Sequence, residues 1–268
     1  MMAARIVVAD AQDARLDDFR DLSVADRRPD RPGGRGTVIA EGVVVVRRLL
    51  DSRYPIRAVL GVAARVDELL VDLSTVDTPA YVVTPQVMSD VIGFHLSRGV
   101  LAVADRGSPP RVDELLTGDR LLILEGVNDH ENLGALFRNA AALVMDAVLL
   151  GGRCADPLYR RSVRVSMGHV LRVPFATLPC WPGDLRAIRA AGHHVVALTP
   201  QAGAVPLSAT DPMRHPRVAL IVGAEGPGLS EAALEAADVR VRIPMAAGVD
   251  SLNVATAAAI ACYHWGLR

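Results

Sequence analysis

The chain has 268 residues, 51% of them hydrophobic, which is ample for one large buried core or two ordinary ones. With 29 basic residues against 30 acidic ones the formal net charge is −1, so a generally basic nucleic-acid coat is excluded and any RNA or DNA contact must come from a local patch. The three cysteines, Cys154, Cys180 and Cys262, lie far apart with no C-x-x-C pairing, and the histidines show no ligand spacing, so neither a disulfide framework nor a metal is expected.

The N-terminus carries acids early and no apolar run long enough for a signal peptide or a membrane span, which points to a cytoplasmic protein with no membrane partner. Residues 1–35 end in the polar, turn-rich stretch ADRRPDRPGGRGT (25–37) and are expected to form a flexible segment. From 36 to 105 short runs follow one another: VIAEGVVVVRRLLDS (38–52), IRAVLGV (56–62), AYVVT (80–84), PQVMSDVIG (85–93) and VLAVAD (100–105). They read as strands alternating with helices in a small α/β domain. Gly, Pro, Ser and charge then concentrate in DRGSPPRVDELLTGD, which predicts a linker over 106–118.

Beyond it, 119–268 shows the stronger alternation. RLLILEGV (120–127), AVLLG (147–151), VVALT (195–199), VALIVGA (218–224) and VRVRIP (239–244) read as strands. Helical stretches lie at NLGALFRNAAALV (132–144), DLRAIRAAG (184–192), SEAALEAAD (230–238) and SLNVATAAAIACYHWGL (251–267). Apolar strands separated by helices predict an α/β fold with a mainly parallel sheet covered on both faces. Ligands of such sheets sit beyond the carboxyl ends of the strands. Four loops occupy that position: 125–131, 199–203, 223–229 and 244–250.

In the third of these, LIVGAEGPGL (220–229), the glycines are spaced G-x-x-G-x-G, Pro227 removes an N–H donor, and Glu225 would repel an anion. A phosphate cradle is therefore disfavoured, and with it a nucleotide-binding enzyme that grips phosphates. A ligand here is neutral or cationic at the contact.

NDHENLGALFRNAAAL (128–143) offers Asn132 and Arg138, LIVGAEGPGL offers Glu225, and IPMAAGVDSLNVATAAA (243–259) offers Ser251 and Asn253. In this order and spacing they resemble the three motifs of the SpoU-type RNA ribose 2′-O-methyltransferases, members of the SPOUT superfamily. CADPLYRRSVRVSMGHVLRVP (154–174) resembles the family's arginine-rich helix and following turn. Residues 36–105 resemble its N-terminal substrate-binding domain, an α/β sandwich related to a ribosomal protein. One departure is Ala255, where the family usually has a second serine.

The resemblance implies a deep trefoil knot, a homodimer through the C-terminal domain, and S-adenosylmethionine held by backbone groups around Leu198, Thr199, Gly223, Ile243, Met245 and Leu252. It implies Arg138 at the reacting hydroxyl or its phosphate, with Asn132, Glu225, Ser251 and Asn253 orienting the arginine, the cofactor and the loop. A structured rRNA or tRNA is the expected partner, contacted by Arg153, Arg160, Arg161 and Arg164. A non-catalytic RNA- or ribosome-binding protein that retains the fold is the alternative. Without the motifs, Ser251 is a candidate cap for the last helix and Ser230 for the one before it.

Overall fold

The computed structural model describes residues 5–20, 22 and 36–266. They fall into two compact units, Met1–Ser108 with Asp156–Arg172, and Pro109–Ala155 with Val173–Arg268.

In the first unit β1 (Arg5–Val7), β2 (Thr37–Glu41), β3 (Ile56–Gly61), β4 (Ala80–Val82) and β5 (Val100–Asp105) form a sheet in the order β1-β4-β3-β5-β2. β1, β4 and β3 are parallel, whereas β5 runs antiparallel to β3 and β2. Helices α1 (Val43–Leu50) and α2 (Pro85–Ile92) fill the connections. Sequence fixes both ends of α2: the Thr84 hydroxyl accepts from Val87 N at 3.3 Å, proline occupies the first turn, and Gly93 closes the helix at φ 82°.

Two features depart from the sequence expectation. Within residues 1–35, β1 pairs with β4, and Leu16 and Phe19 of the 3-10 turn Ala14–Phe19 are fully buried in a core shared with Val8 and Leu22. Apolar residues spaced by three on a 3-10 turn share one face, which ties this segment down. The polar stretch 23–35 lies outside the described residues. The second departure is Asp156–Arg172, expected in the second domain but part of the first unit. Arg106 grips Asp156 through two hydrogen bonds of 2.7 and 2.5 Å. Arg160 lies 4.6 Å over the Phe94 ring and 3.5 Å from the buried Glu41 carboxylate, and Arg48 donates to the Met167 carbonyl.

The second unit is one fully parallel sheet of seven strands. These are β6 (Arg120–Glu125), β7 (Ala147–Leu150), β8 (Phe175–Thr177), β9 (His194–Leu198), β10 (Val205–Pro206), β11 (Val218–Gly223) and β12 (Val239–Arg242). Their order is β10-β12-β9-β11-β6-β7-β8. The short strands β8 and β10 were not legible as strands in the sequence. Leu121–Leu124 of β6 are all 0% exposed, as a continuous apolar run in a doubly covered strand requires. Helices α3 (His130–Ala142), α4 (Leu185–Ala190), α5 (Glu231–Ala236) and α6 (Val254–Gly266) complete the unit.

α3 buries Leu133, Leu136, Phe137 and Ala140, one face at helical spacing, and Phe137 meets Phe175 edge to face at 5.4 Å. α6 packs on α3, β11 and β6. At its end an added Cβ on Gly266 would stand 2.1 Å from the Leu143 carbonyl oxygen, so only glycine admits this approach.

The cysteines provide a check on this packing. Burial pushes the Cys262 thiol up to about 12, Cys154 is also raised by burial and donates to the Leu124 carbonyl, and Cys180 is exposed. Under native conditions iodoacetamide is expected to alkylate Cys180 alone, with all three cysteines reacting after unfolding, as read by intact mass.

Candidate active site

The carboxyl ends of β9, β11 and β12 open onto a cavity of about 600 Å³. Leu198, Thr199 and Pro200 line it from the loop after β9, Val222–Glu225, Gly226 and Gly228 from the loop after β11, and Ile243, Met245 and Asp250–Val254 from the chain between β12 and α6. All six residues expected around a cofactor face this one space, together with Glu225, Ser251 and Asn253. Among the described residues no arginine or histidine lines it, and its charged side chains are Glu225 and Asp250. Such a lining suits a ligand that is neutral or cationic and lacks phosphate. The size is that of ordinary small-molecule sites, roughly 300–1,000 Å³.

At the cavity wall three motif residues that lie far apart in sequence join. The Asn253 amide nitrogen donates to Asn132 Oδ1 at 2.8 Å and to Glu225 Oε1 at 2.9 Å. Its oxygen accepts from Ala255 N at 2.9 Å and Thr256 N at 3.3 Å. Asn253, not Ser251, therefore caps α6, and all of its amide atoms are used. Asn132 is placed in turn by Asp129, the cap of α3, whose Oδ1 accepts from Glu131 N and Asn132 N. Ala255 is buried in the first turn of α6, and its carbonyl accepts from the Asn139 amide at 2.8 Å. Asn139 follows Asn132 by seven residues and so shares its side of the helix, a periodicity visible in the sequence although Asn139 belongs to none of the three motifs.

Gly223 has a steric reason of its own. A Cβ there would meet Gly228 C at 2.4 Å and Leu229 N at 2.5 Å, so the glycine lets the loop fold back on its own backbone. Gly228 N donates to Ala224 O at 3.1 Å to close that turn, and Gly226 and Gly228 take φ of 86° and 70°. Ser230 then caps α5, as its position predicts, accepting from Ala233 N at 3.3 Å.

Arg138 is not in the cavity. It is exposed on α3, and among the described residues no hydrogen bond or ion pair holds it. Six residues at about 100° each place it roughly 120° around the helix from Asn132, and the rise of 1.5 Å per residue carries it about 9 Å further from the strand ends. The four arginines expected at RNA also separate. Arg153, with φ 61°, belongs to the second unit, whereas Arg160, Arg161 and Arg164 belong to the first. Arg161 and Arg164 are exposed, but Arg160 is held between Glu41 and Phe94 by the packing described above.

A second hollow, about 680 Å³, lies at the opposite, amino ends of β9 and β12 and is lined by Arg186, Arg189, His193, His194, His215 and Asp238 among others. The His194 and His215 rings stack at 3.6 Å, and desolvation, then the neighbouring His215, lower the His194 pKa. No motif residue lines it, so it is not the better candidate. Among the described residues no group of three or more His, Cys, Asp or Glu stands where it could hold a metal, and no helix is long and apolar enough to cross a membrane.

Residues 119–263 match the SpoU rRNA Methylase family. The chain belongs to that family. An uncharacterized tRNA/rRNA methyltransferase of Mycobacterium tuberculosis is 56% identical over 96% of this chain and 90% of its own length. The 23S rRNA (guanosine(2553)-2′-O)-methyltransferase RlmP of Bacillus subtilis is 29% identical over 96% of this chain and 98% of its own. Among solved structures, an AdoMet-bound rRNA methyltransferase of Sinorhizobium meliloti superposes with a TM-score of 0.79 at 27% identity, covering 97% of both chains. The SpoU methyltransferase AviRb of Streptomyces viridochromogenes, in complex with AdoMet, gives 0.76 at 26% identity, covering 94% of this chain and 96% of that one. This SpoU chain thus shares its α/β, mostly parallel architecture with enzymes that bind S-adenosylmethionine.

Two substitutions separate the roles of Asn253. Asn253→Ala removes both the cap and the bridge and is expected to cost about 1 kcal/mol of stability. Asn253→Asp keeps a good cap but sets a second carboxylate against Glu225. Its melting temperature should stay closer to that of the native chain than the alanine variant's, while methyl transfer falls in both, as measured by thermal unfolding beside a transfer assay.

Proposed function

We propose that the chain transfers a methyl group from S-adenosylmethionine to a ribose 2′-hydroxyl of a structured rRNA or tRNA in the cytoplasm. The observation that carries this reading is the cavity at the strand ends, free of basic side chains and bordered by the Asn132–Asn253–Glu225 bridge. When bound, S-adenosylmethionine supplies an electrophilic methyl group carried on a sulfonium. Leu198, Thr199, Gly223, Ile243, Met245 and Leu252 would hold it through backbone and apolar contacts, and the acids Glu225 and Asp250 are compatible with its positive charge. Ser251, exposed in the same lining, offers a hydroxyl to either ligand.

The remaining task is to hold the hydroxyl in line, and positioning supplies about 7–11 kcal/mol of such barriers in favourable systems. Asn253 and Asn132 fix one another and Glu225, so the wall beside the reacting ribose is set before substrate arrives. We assign Arg138 to the phosphate next to that ribose. A guanidinium is a permanent cation and so a clamp and not a base, and the proton leaves to the phosphate or to water. Because Arg138 does not line the cavity of its own protomer, this role places it at the cavity of a second copy, in a homodimer formed through the C-terminal domain. The outer face of α6 offers Thr256, Ile260 and Tyr263 at helical spacing for that contact, the last 66% exposed.

The trefoil knot belongs to the same reading. β12 lies between β10 and β9 whereas α6 packs on α3, β11 and β6, so residues 243–253 cross the carboxyl-end edge of the sheet between them. Exposed Arg161 and Arg164 of the first unit and Arg153 of the second are assigned to RNA, and the first unit to its selection. A non-catalytic role is disfavoured because the bridge and the cavity lining are intact.

Mapping ribose methylation on total RNA from cells with and without the gene tests the activity: one nucleotide should lose its methyl group, and an unchanged map would refute the reading. Arg138→Ala and Arg138→Lys should both lower methyl transfer by about two orders of magnitude or more, with S-adenosylmethionine affinity unchanged. Gly223→Val should instead lose cofactor affinity, because the loop must open. Mixing Arg138→Ala with Asn253→Ala subunits should restore activity if the arginine serves the partner's cavity.

A further inference from the structure

Glu125 ends β6 with its carboxylate fully engaged, yet it does not line the cavity. Oε1 accepts from the Trp181 indole N–H at 2.7 Å and from the Ser230 hydroxyl at 2.7 Å, and Oε2 accepts from Ser230 N at 2.9 Å. Three neutral donors meet one carboxylate, and bonds of this charge-assisted kind are about twice as strong as neutral ones. The backbone of Glu125 is meanwhile the register partner of Gly223 in the β6–β11 ladder. Glu125 therefore holds the loop after β11 at both ends, Gly223 through the sheet and Ser230 through the side chain.

What lies between these ends is the segment Ala224–Leu229 with Glu225, two left-handed glycines and a turn closed by Gly228 N on Ala224 O. Glycines make such a loop entropically loose unless its ends are fixed. On the far side of Glu125, the Trp181 ring covers Gly151, where a Cβ would stand 2.8 Å from the indole, so the latch extends to the end of β7.

We propose that Glu125 is a positioning residue for methyl transfer. It clamps the glycine-rich loop so that Glu225 meets Asn253, and Trp181 is latched to the same carboxylate. This rests on the methyltransferase reading only for its effect on rate; the clamp is measurable without activity. In Glu125→Gln the side chain keeps its size but turns an amide NH2 toward groups that are themselves donors.

Hydrogen exchange on the full chain should then show lost protection over residues 224–230, with protection of β6 and β11 retained and a shifted Trp181 emission, read in a Trp265→Phe background. With S-adenosylmethionine and RNA saturating, kcat should fall by about tenfold or more. If Glu125 acts through Glu225, that loss disappears when Glu225→Gln is already present, a non-additivity that general destabilisation does not produce. Unchanged exchange over 224–230 would overturn the clamp, and additive losses in the double variant would overturn its link to Glu225. An inactive native chain whose loop still loosens in Glu125→Gln would leave the clamp standing and refute the methyltransferase reading instead. Should Glu125→Gln not fold, Ser230→Ala, which removes one of the three bonds, carries the same measurements.

Discussion

Six residue pairs join β6 to β11 in parallel, from Arg120 with Val218 to Glu125 with Gly223, and the rest of the second unit is arranged around that ladder. Because the two strands end side by side, whatever follows each is delivered to the same place. After β6 comes α3 with Asn132 in its first turn; after β11 comes the loop with Glu225. More than ninety residues of chain separate them, and one Asn253 amide nitrogen reaches both, at 2.8 and 2.9 Å.

Asn253 shows how one side chain serves structure and site together. Its oxygen satisfies N–H groups at the start of α6 that the helix itself leaves unpaired, while its nitrogen is spent on the bridge. The cap fixes the rotamer, and the rotamer aims the donors. α6 is in turn held by contacts that tolerate no additional atoms, such as Gly266 against the Leu143 carbonyl. The placement of Asn253 therefore rests on the packing of α6 on α3 and the sheet.

The arginines divide along similar lines. Since every basic residue is arginine, composition gives no hint of which are structural. Arg106 is used on Asp156 and Arg160 on Glu41 and Phe94, which fastens residues 156–172 into the first unit. Arg138 and Arg164 are exposed, as is Arg161 although it has a partner of its own. A near-neutral chain thus has fewer cations available to a polyanionic partner than the sequence suggests, because part of its basic stretch holds the protein together.

Much of the second unit was legible in the sequence, because a strand buried on both faces must be apolar throughout and a helix must be apolar at its own period. Leu121–Leu124 and the Leu133, Leu136, Phe137, Ala140 face carry those signals openly, as do Ser230 as a cap and the glycines of 223–228. Of the five motif residues, Asn132, Glu225 and Asn253 meet, each on a stretch that follows a strand, whereas Arg138 and Ser251 stand outside that bridge. β1, of three residues, and the six-residue turn with Leu16 and Phe19 were hidden because elements so short have no measurable period and gain their order from the core they join. Whether Ser251 or Asn253 caps α6 depended on where the helix starts, at Val254 and not Ser251, a matter of one turn that sequence pattern does not resolve. The membership of residues 156–172 was decided by ion pairs to residues at least fifty positions away, and the distance between Arg138 and the cavity by the angle of a helix. Local periodicity is written along the chain; which side chains meet across it is settled only when the strands take their order in the sheet.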